Sequence, residues 1–310
     1  MLQFVIRRIL VAIPVLFGVT LLAFSVIHLL PGDPAEIMLF GSNPTPAQIQ
    51  HLRVELGLTQ PYPIQYLIYL GHLVQGNLGQ SFISSESVTH EIATQFPATL
   101  SLTIAAMAVA VLVGAPLGIV AGVRPHSWID HVATGIAVLG VAIPYFWLAL
   151  ILILILAVHL HWLPSLGEGS PQAIVLPALS LGWGFAAIIA RLLRNNLIDI
   201  YQQPYLHVAR AKGLSGWKVL RKHAIKNALI PVVTILGLQF GNMLSGAVAI
   251  EVIFGRRGIG SYLVSAIQAK DIPAVQGIML FIAVIYIVIN LIVDVTYGLL
   301  DPRIRLKGTA

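Results

Sequence analysis

Hydrophobic positions along this chain neither alternate with polar ones nor gather on a single helical face; they run on in uninterrupted blocks. Residues 9–30, 97–123, 132–158, 171–190, 228–250 and 272–293 contain no Asp, Glu, Lys or Arg. Each block reaches the roughly 20 residues a helix needs to cross hydrocarbon. One charge at the centre of such a span costs about 2.5–3.5 kcal/mol on insertion, so six charge-free blocks are not the pattern of a soluble core. Lone strands cannot satisfy their backbone in lipid, and the ten-residue alternation of a barrel is missing. The pattern predicts an all-α polytopic membrane protein with six transmembrane helices. The block 132–158 is predicted as one span, with Pro144 a candidate kink.

Between the first two blocks, residues 31–96 form the longest segment outside the membrane. "NPTPAQIQHLRVELGL" predicts a short helix from Thr45-Pro46 to Gly57, and "PYPIQYLIYLGHLVQG" a second, amphipathic and aromatic one. Either a substrate-side docking element or a cap on the helix bundle fits them. Two regions follow: 1–96, the first span with its external segment, and 97–310, the remaining bundle with a cytoplasmic loop at 191–227.

Composition agrees with this picture. Only 10% of residues are charged, against about a quarter in soluble domains, and mean hydropathy is +0.89. Charge adds orientation. With the N-terminus inside, fourteen of the eighteen Lys and Arg are cytoplasmic, leaving Arg53, Arg256, Arg257 and Lys270 outside. The positive-inside rule then places both termini in the cytoplasm. The start resembles a secretory signal, Arg7 and Arg8 preceding an apolar run, but the run is longer than a signal core and no small-x-small site follows, so a retained helix is expected. The net charge of +6 needs no nucleic acid: inside bias and anionic headgroups account for it. Zero cysteines exclude disulfides and thiolate metal sites.

Catalytic chemistry is not indicated. There is no GxxxxGK[ST] phosphate loop, no GxSxG, and "HEIAT" at His90 lacks the second histidine of a zinc-protease helix. No catalytic, cofactor-binding or metal-ligating residue is therefore assigned. His159 and His161, with His28 and His90, would suit either a metal path or the membrane interface. Amides and acids at membrane depth carry more weight, because they usually face a bundle interior or a water path. Gln239, Asn242 and Glu251 on the fifth span are the candidate translocation path. On the sixth lie Asn290 and Asp294, of which Asp294 is read as structural. Glycines four apart (Gly114, Gly118, Gly122; Gly237, Gly241) suit close helix packing or a subunit interface.

"HVARAKGLSGWKVLRKHAIKNALIP", residues 207–231, holds a third of the positive charge: Arg210, Lys212, Lys218, Arg221, Lys222 and Lys226. A lipid-headgroup patch, a nucleic-acid patch and a protein-docking element compete for it. The local pattern predicts a small helix over "YLHVARAK", a glycine stop at Gly213, and a second helix capped by Ser215 that runs into the fifth span. A diffuse lipid patch needs no such geometry. This stretch is similar to the cytoplasmic loop of binding-protein-dependent ABC importer permeases, whose motif reads EAAxxxG. His207, Val208 and Ala209 stand at the EAA places and Gly213 at the glycine; the Glu is missing. "LLPGDPA", "FPATLSLTI", "IPYFWLAL" and "NLIVDVTYGLLDPRIR" resemble the dipeptide, oligopeptide and nickel branch over nearly the full length, while "FGRRGIG" at 254–260 departs from its usual aromatic-Pro-Gly turn.

The resemblance implies a type I ABC importer transmembrane domain in a bacterial or archaeal cytoplasmic membrane, passing di- or oligopeptides delivered by an external binding protein. It implies a second homologous permease and two ATPase subunits as partners, ATP and Mg being bound by the latter. His207, Val208, Ala209, Arg210, Ala211, Lys212, Gly213 and Leu214 would form the element that docks on an ATPase. Nickel, a metal chelate or glutathione are alternative cargoes within the same machinery. A self-sufficient secondary transporter or channel is the alternative of another class.

Overall fold

The computed structural model describes residues 2–29, 35–36, 45–55, 57–166 and 170–300. Arg303, Arg305 and Lys307, the "DPRIR" end and most of "LLPGDPA" lie outside those residues, as do the side chains of Arg7, His28 and Asp294. The regular structure of the described residues is helical, with one isolated bridge, Gln80 to Ser87. Helices α1 (Leu2–Leu29), α2 (Pro46–Glu55), α3 (Tyr62–Val74) and α4 (Val88–Val123) are followed by α5 (Trp128–Ala142) and α6 (Tyr145–Leu152). The last continues as π-helical turns over Ile153–His159. Then come α7 (Val175–Tyr201), α8 (Pro204–Ala211), α9 (Gly216–Val219), a π-helical turn Leu220–Ala224, α10 (Ile225–Ile253), α11 (Ile259–Gln268) and α12 (Ile272–Leu300). Both short helices predicted in the external segment form, and Gly57 follows the first at φ +69°.

Two compact units divide the chain: residues 1–97 with 261–291, and 98–260 with 292–310. In the first, α3 packs on α1 through aromatic edges, Tyr66 against Phe17 and Phe24. Thr20 and the Tyr66 hydroxyl are hydrogen-bonded at 2.8 Å. Asp271, buried, accepts from the Ser81 hydroxyl and the Phe82 N–H and so ties the turn before α4 to the start of α12.

The second unit is built around α7, the most buried of the long apolar helices. Small residues make that burial possible. A β-carbon added at Gly118 would lie 2.6 Å from the carbonyl oxygen of Ala190, and one at Gly114 would collide with the carbonyl of Ala186. At Gly122 it would meet Leu197 Cβ at 2.8 Å. Residue numbers rise together on both sides of this seam, so α4 and α7 run parallel at backbone contact. That is the small-residue packing that substitutes for a hydrophobic driving force in lipid. Leu102, Leu181, Ile189, Leu193 and Leu197 fill the seam.

Helix α5 packs antiparallel on α7. Asp130 receives two hydrogen bonds from Arg194, one from Nη2 at 2.7 Å, and one from the His126 N–H at 2.9 Å. Ser127 caps α5, its hydroxyl accepting from the Asp130 N–H. A half-exposed guanidinium held bidentately by a buried carboxylate fixes where the two helices meet, and losing one partner of such a pair costs several kcal/mol.

The predicted single span over 132–158 is broken. The chain turns by 102° between α5 and the helical stretch Tyr145–His159. Pro144 has no N–H to give, and the residue before a proline is pushed out of the helical region; Ile143 is extended at φ −83°, ψ 119°. Because α4 and α7 are parallel, the broken pair between them must return the chain from one end of the unit to the other. It therefore counts as one crossing, which with the four long apolar helices makes five among the described residues. The fourth predicted block, 171–190, continues as helix to Tyr201, so Arg191 and Arg194 ride on α7 rather than in a loop.

Candidate coupling element and translocation face

Helix α8 begins with Pro204 at its first turn, where the missing N–H is no loss. Leu206 and Ala209, three apart, are its buried residues. His207, Val208, Arg210, Ala211, Lys212, Gly213 and Leu214 are exposed. The helix ends in a Schellman turn: Gly213 N–H donates to Arg210 O at 2.9 Å and Leu214 N–H to Ala209 O at 3.3 Å, with Gly213 at φ +81°. The predicted helix, glycine stop and second helix are all present. Ser215 stands at the predicted cap position of the second helix, but its side chain makes no capping bond.

Three contacts seat this element. Asn227 on α10 donates to the Tyr205 hydroxyl at 2.9 Å, and Asn196 on α7 donates to Ala228 O at 3.2 Å. The Arg210 guanidinium lies 5.3 Å from the centroid of the Tyr201 ring. A cleft of about 560 Å³ opens beside α8, lined by Tyr201, Arg210, Trp217 and Leu220 among others. All six basic side chains of the stretch are exposed, and none makes an ion pair with a described residue. The arrangement is a short cationic helix with an apolar edge, Tyr205 and Val208, joined to a 38-residue helical run, Gly216–Ile253.

On α10, Asn242 is exposed and donates to Gln239 Oε1 at 2.9 Å. Glu251, expected with them on a path, is placed elsewhere. It lies about 13 Å further along the helix, is 1% exposed, and is consumed by the turn that follows. Its carboxylate accepts from the Thr99 hydroxyl at 2.6 Å and the Gly260 N–H at 2.8 Å, while Thr99 Oγ1 accepts from the Ile259 N–H at 2.9 Å. Any side chain at Gly258 would run into that carboxylate. Glu251 is thus an anchor for residues 254–260 and not an open wall residue. In the same turn Arg256 is 9% exposed, and its Nε has no partner among the described residues. Glu251→Ala is expected to destabilise the protein by about 3 kcal/mol, because it strands buried donors. Thr99→Val, which removes the bond to the carboxylate and strands the Ile259 N–H, should cost about 2 kcal/mol. Thermal unfolding of the purified variants measures both.

Sequence reading passed over Thr99, Asp130 and Arg194. For Asp130 a signal existed, since Ser127-x-x-Asp130 is a helix-start pattern. Among the described residues no group of three His, Cys, Asp or Glu is placed to hold a metal. Asn290 donates to Tyr286 O at 2.9 Å within its own helix.

Comparison with known proteins matches both ends of the chain. Residues 114–306 match the family of binding-protein-dependent transport system inner membrane components, and residues 1–103 match the N-terminal region of such membrane components. The glutathione transport system permease protein GsiC of Escherichia coli is 43% identical over 307 residues, 99% of this chain and 100% of that protein. The dipeptide transport system permease protein DppB of Alkalihalophilus pseudofirmus is 40% identical over 333 residues, 98% of this chain and 100% of that protein. Among solved structures, the MetNI methionine ABC transporter in an inward facing conformation superposes with a TM-score of 0.56 at 20% identity, over 68% of this chain and 96% of that one. An amino acid ABC transporter with histidines gives 0.52 at 21% identity, over 69% and 94%. The fold is therefore that of an ABC importer transmembrane domain, and full-length similarity to two transport permeases goes further: this chain is a member of the binding-protein-dependent transport system inner membrane component family.

Proposed function

We propose that the chain is the membrane-spanning subunit of an ATP-driven importer of short peptides, crossing the cytoplasmic membrane six times with both termini inside. Helix α8 carries this reading. It is seated by Leu206 and Ala209, stopped by Gly213, without an ion pair to any described residue, and joined to a span, which is what a cytoplasmic ATPase must grip to move the bundle. Residues His207 to Leu214 dock on one of two ATPase subunits, which bind ATP and Mg. A second homologous permease completes the bundle, and an external binding protein delivers cargo. The chain itself performs no chemistry; it converts a push on α8 into opening and closing of the path.

The peptide assignment draws support from the relatives named for dipeptide and for glutathione, itself a tripeptide. Nickel is the cargo to test against it. Uptake of labelled dipeptide, glutathione and nickel is compared in cells with and without this chain. Loss of dipeptide or glutathione uptake alone is the expected result. Loss of nickel uptake alone would overturn the peptide reading and bring His159 and His161 forward as entry-path residues.

A further inference from the structure

The broken span and the amide pair on α10 meet in a way that coupling does not use. At 100° per residue, Gln239, Asn242 and Gly246 fall within about 60° of one another around α10. Asn242 is exposed, Gln239 half-buried, and both lie well inside the uncharged block 228–250. An exposed amide pair at that depth is costly against lipid tails. This face therefore meets water, a partner or a passing solute.

About 6 Å further along, the same face is roofed. Gly246 is buried under Leu181 and the Tyr145 ring, whose Cζ would lie 3.9 Å from a β-carbon there. Tyr145 is the first residue of α6, immediately past the 102° bend at Pro144. Tyr145, Phe146 and Trp147 are 37%, 47% and 49% exposed. The bend thus brings the Tyr145 ring across the polar face of α10.

We propose that Gln239 and Asn242, with the Tyr145 ring above them, form a peptide-contacting ledge in the translocation path. The proposal rests on the peptide-import reading and deepens it. A peptide group offers one N–H and one C=O, and a primary amide offers donors and an acceptor to match. The Asn242-to-Gln239 bond leaves the Asn242 oxygen and the Gln239 amide hydrogens available for that purpose. Aromatic rings give cargo side chains an apolar face without demanding one shape. The ledge carries no Asp, Glu, Lys, Arg or His, so it favours the peptide backbone over any particular side-chain charge.

The absence of cysteine from the chain makes the test direct. Tyr145→Cys and Asn242→Cys are introduced singly into the complete transporter, in proteoliposomes, and challenged with a small water-soluble thiol reagent. Both are expected to react, and dipeptide turnover is expected to slow the reaction several-fold. Leu112→Cys, on the 73%-exposed outer side of α4, should not react under either condition. Cysteines that are silent, or that react equally with and without dipeptide while uptake proceeds, overturn the ledge alone. Failure of Asn242→Cys to assemble with the partner subunits also overturns it, making this face a subunit interface. A variant that assembles but no longer takes up dipeptide supports it. A wild-type complex that takes up no dipeptide overturns the peptide reading and the ledge together.

Discussion

Gly213→Val is expected to leave the protein folded and in the membrane while ATP-driven uptake falls below about a tenth of wild type. Space is not the issue, since a β-carbon at Gly213 would meet nothing within 4 Å. The backbone is: φ is +81°, a left-handed conformation that costs an ordinary residue about 1–2 kcal/mol and a β-branched one more. The valine chain relieves that cost by opening the Schellman turn, which breaks the Leu214 N–H to Ala209 O bond and lets α8 drift against α10. ATP hydrolysis and uptake should then separate, the first persisting and the second lost. Gly213→Asn, better tolerated in this conformation, should fall between. Uptake and hydrolysis measured side by side on one preparation decide the matter. Near-normal uptake by the valine variant would sink the coupling role of α8.

The second large effect lies in the bundle. Gly118→Leu is expected to abolish the folded protein. The new β-carbon would sit 2.6 Å from the Ala190 carbonyl oxygen and 3.0 Å from Leu193 Cβ. The first obstacle is backbone, which no rotamer change can clear. Overpacking a core typically costs about 1–3 kcal/mol; here the α4–α7 seam must part as well, since Gly114 and Gly122 on either side are equally close to α7. Gly135→Leu is the matched comparison, because nothing lies within 4 Å of that glycine. Membrane yield and thermal stability should collapse for the first and hold for the second. Equal tolerance of both would mean that the helices are not packed at backbone contact.

What could be read from the residues, and what could not, follows from the range of the forces involved. The α8 element was legible because its signals are local: a short helical stretch, a glycine stop, and a run of basic residues. Charge-free blocks revealed the long helices because the cost of burying charge acts residue by residue. Hydropathy is blind to direction, however, so the block 132–158 read as one span although Ile143-Pro144 holds the physical cause of a break. Glu251 shows the other limit. At the end of a polar-tipped span it looked like a path residue, but its role depends on Thr99, 152 residues away in the chain. Asp130 and Arg194, 64 apart, meet only because α5 and α7 fold back on each other.

The π-helical turn at Leu220–Ala224 has a consequence best stated as angle. A π turn takes in about one residue more than an α turn, and one residue corresponds to about 100° of rotation. Those five residues therefore set the rotational phase between α9, with the basic element before it, and the buried stripe Ala228–Val232 on α10. Without the extra residue, the side chains before it would stand more than a quarter-turn from their present places in solvent. A force arriving at α8 would then reach a different side of the span. On the proposed coupling role of α8, the direction of the stroke is a phase angle held by a single surplus residue.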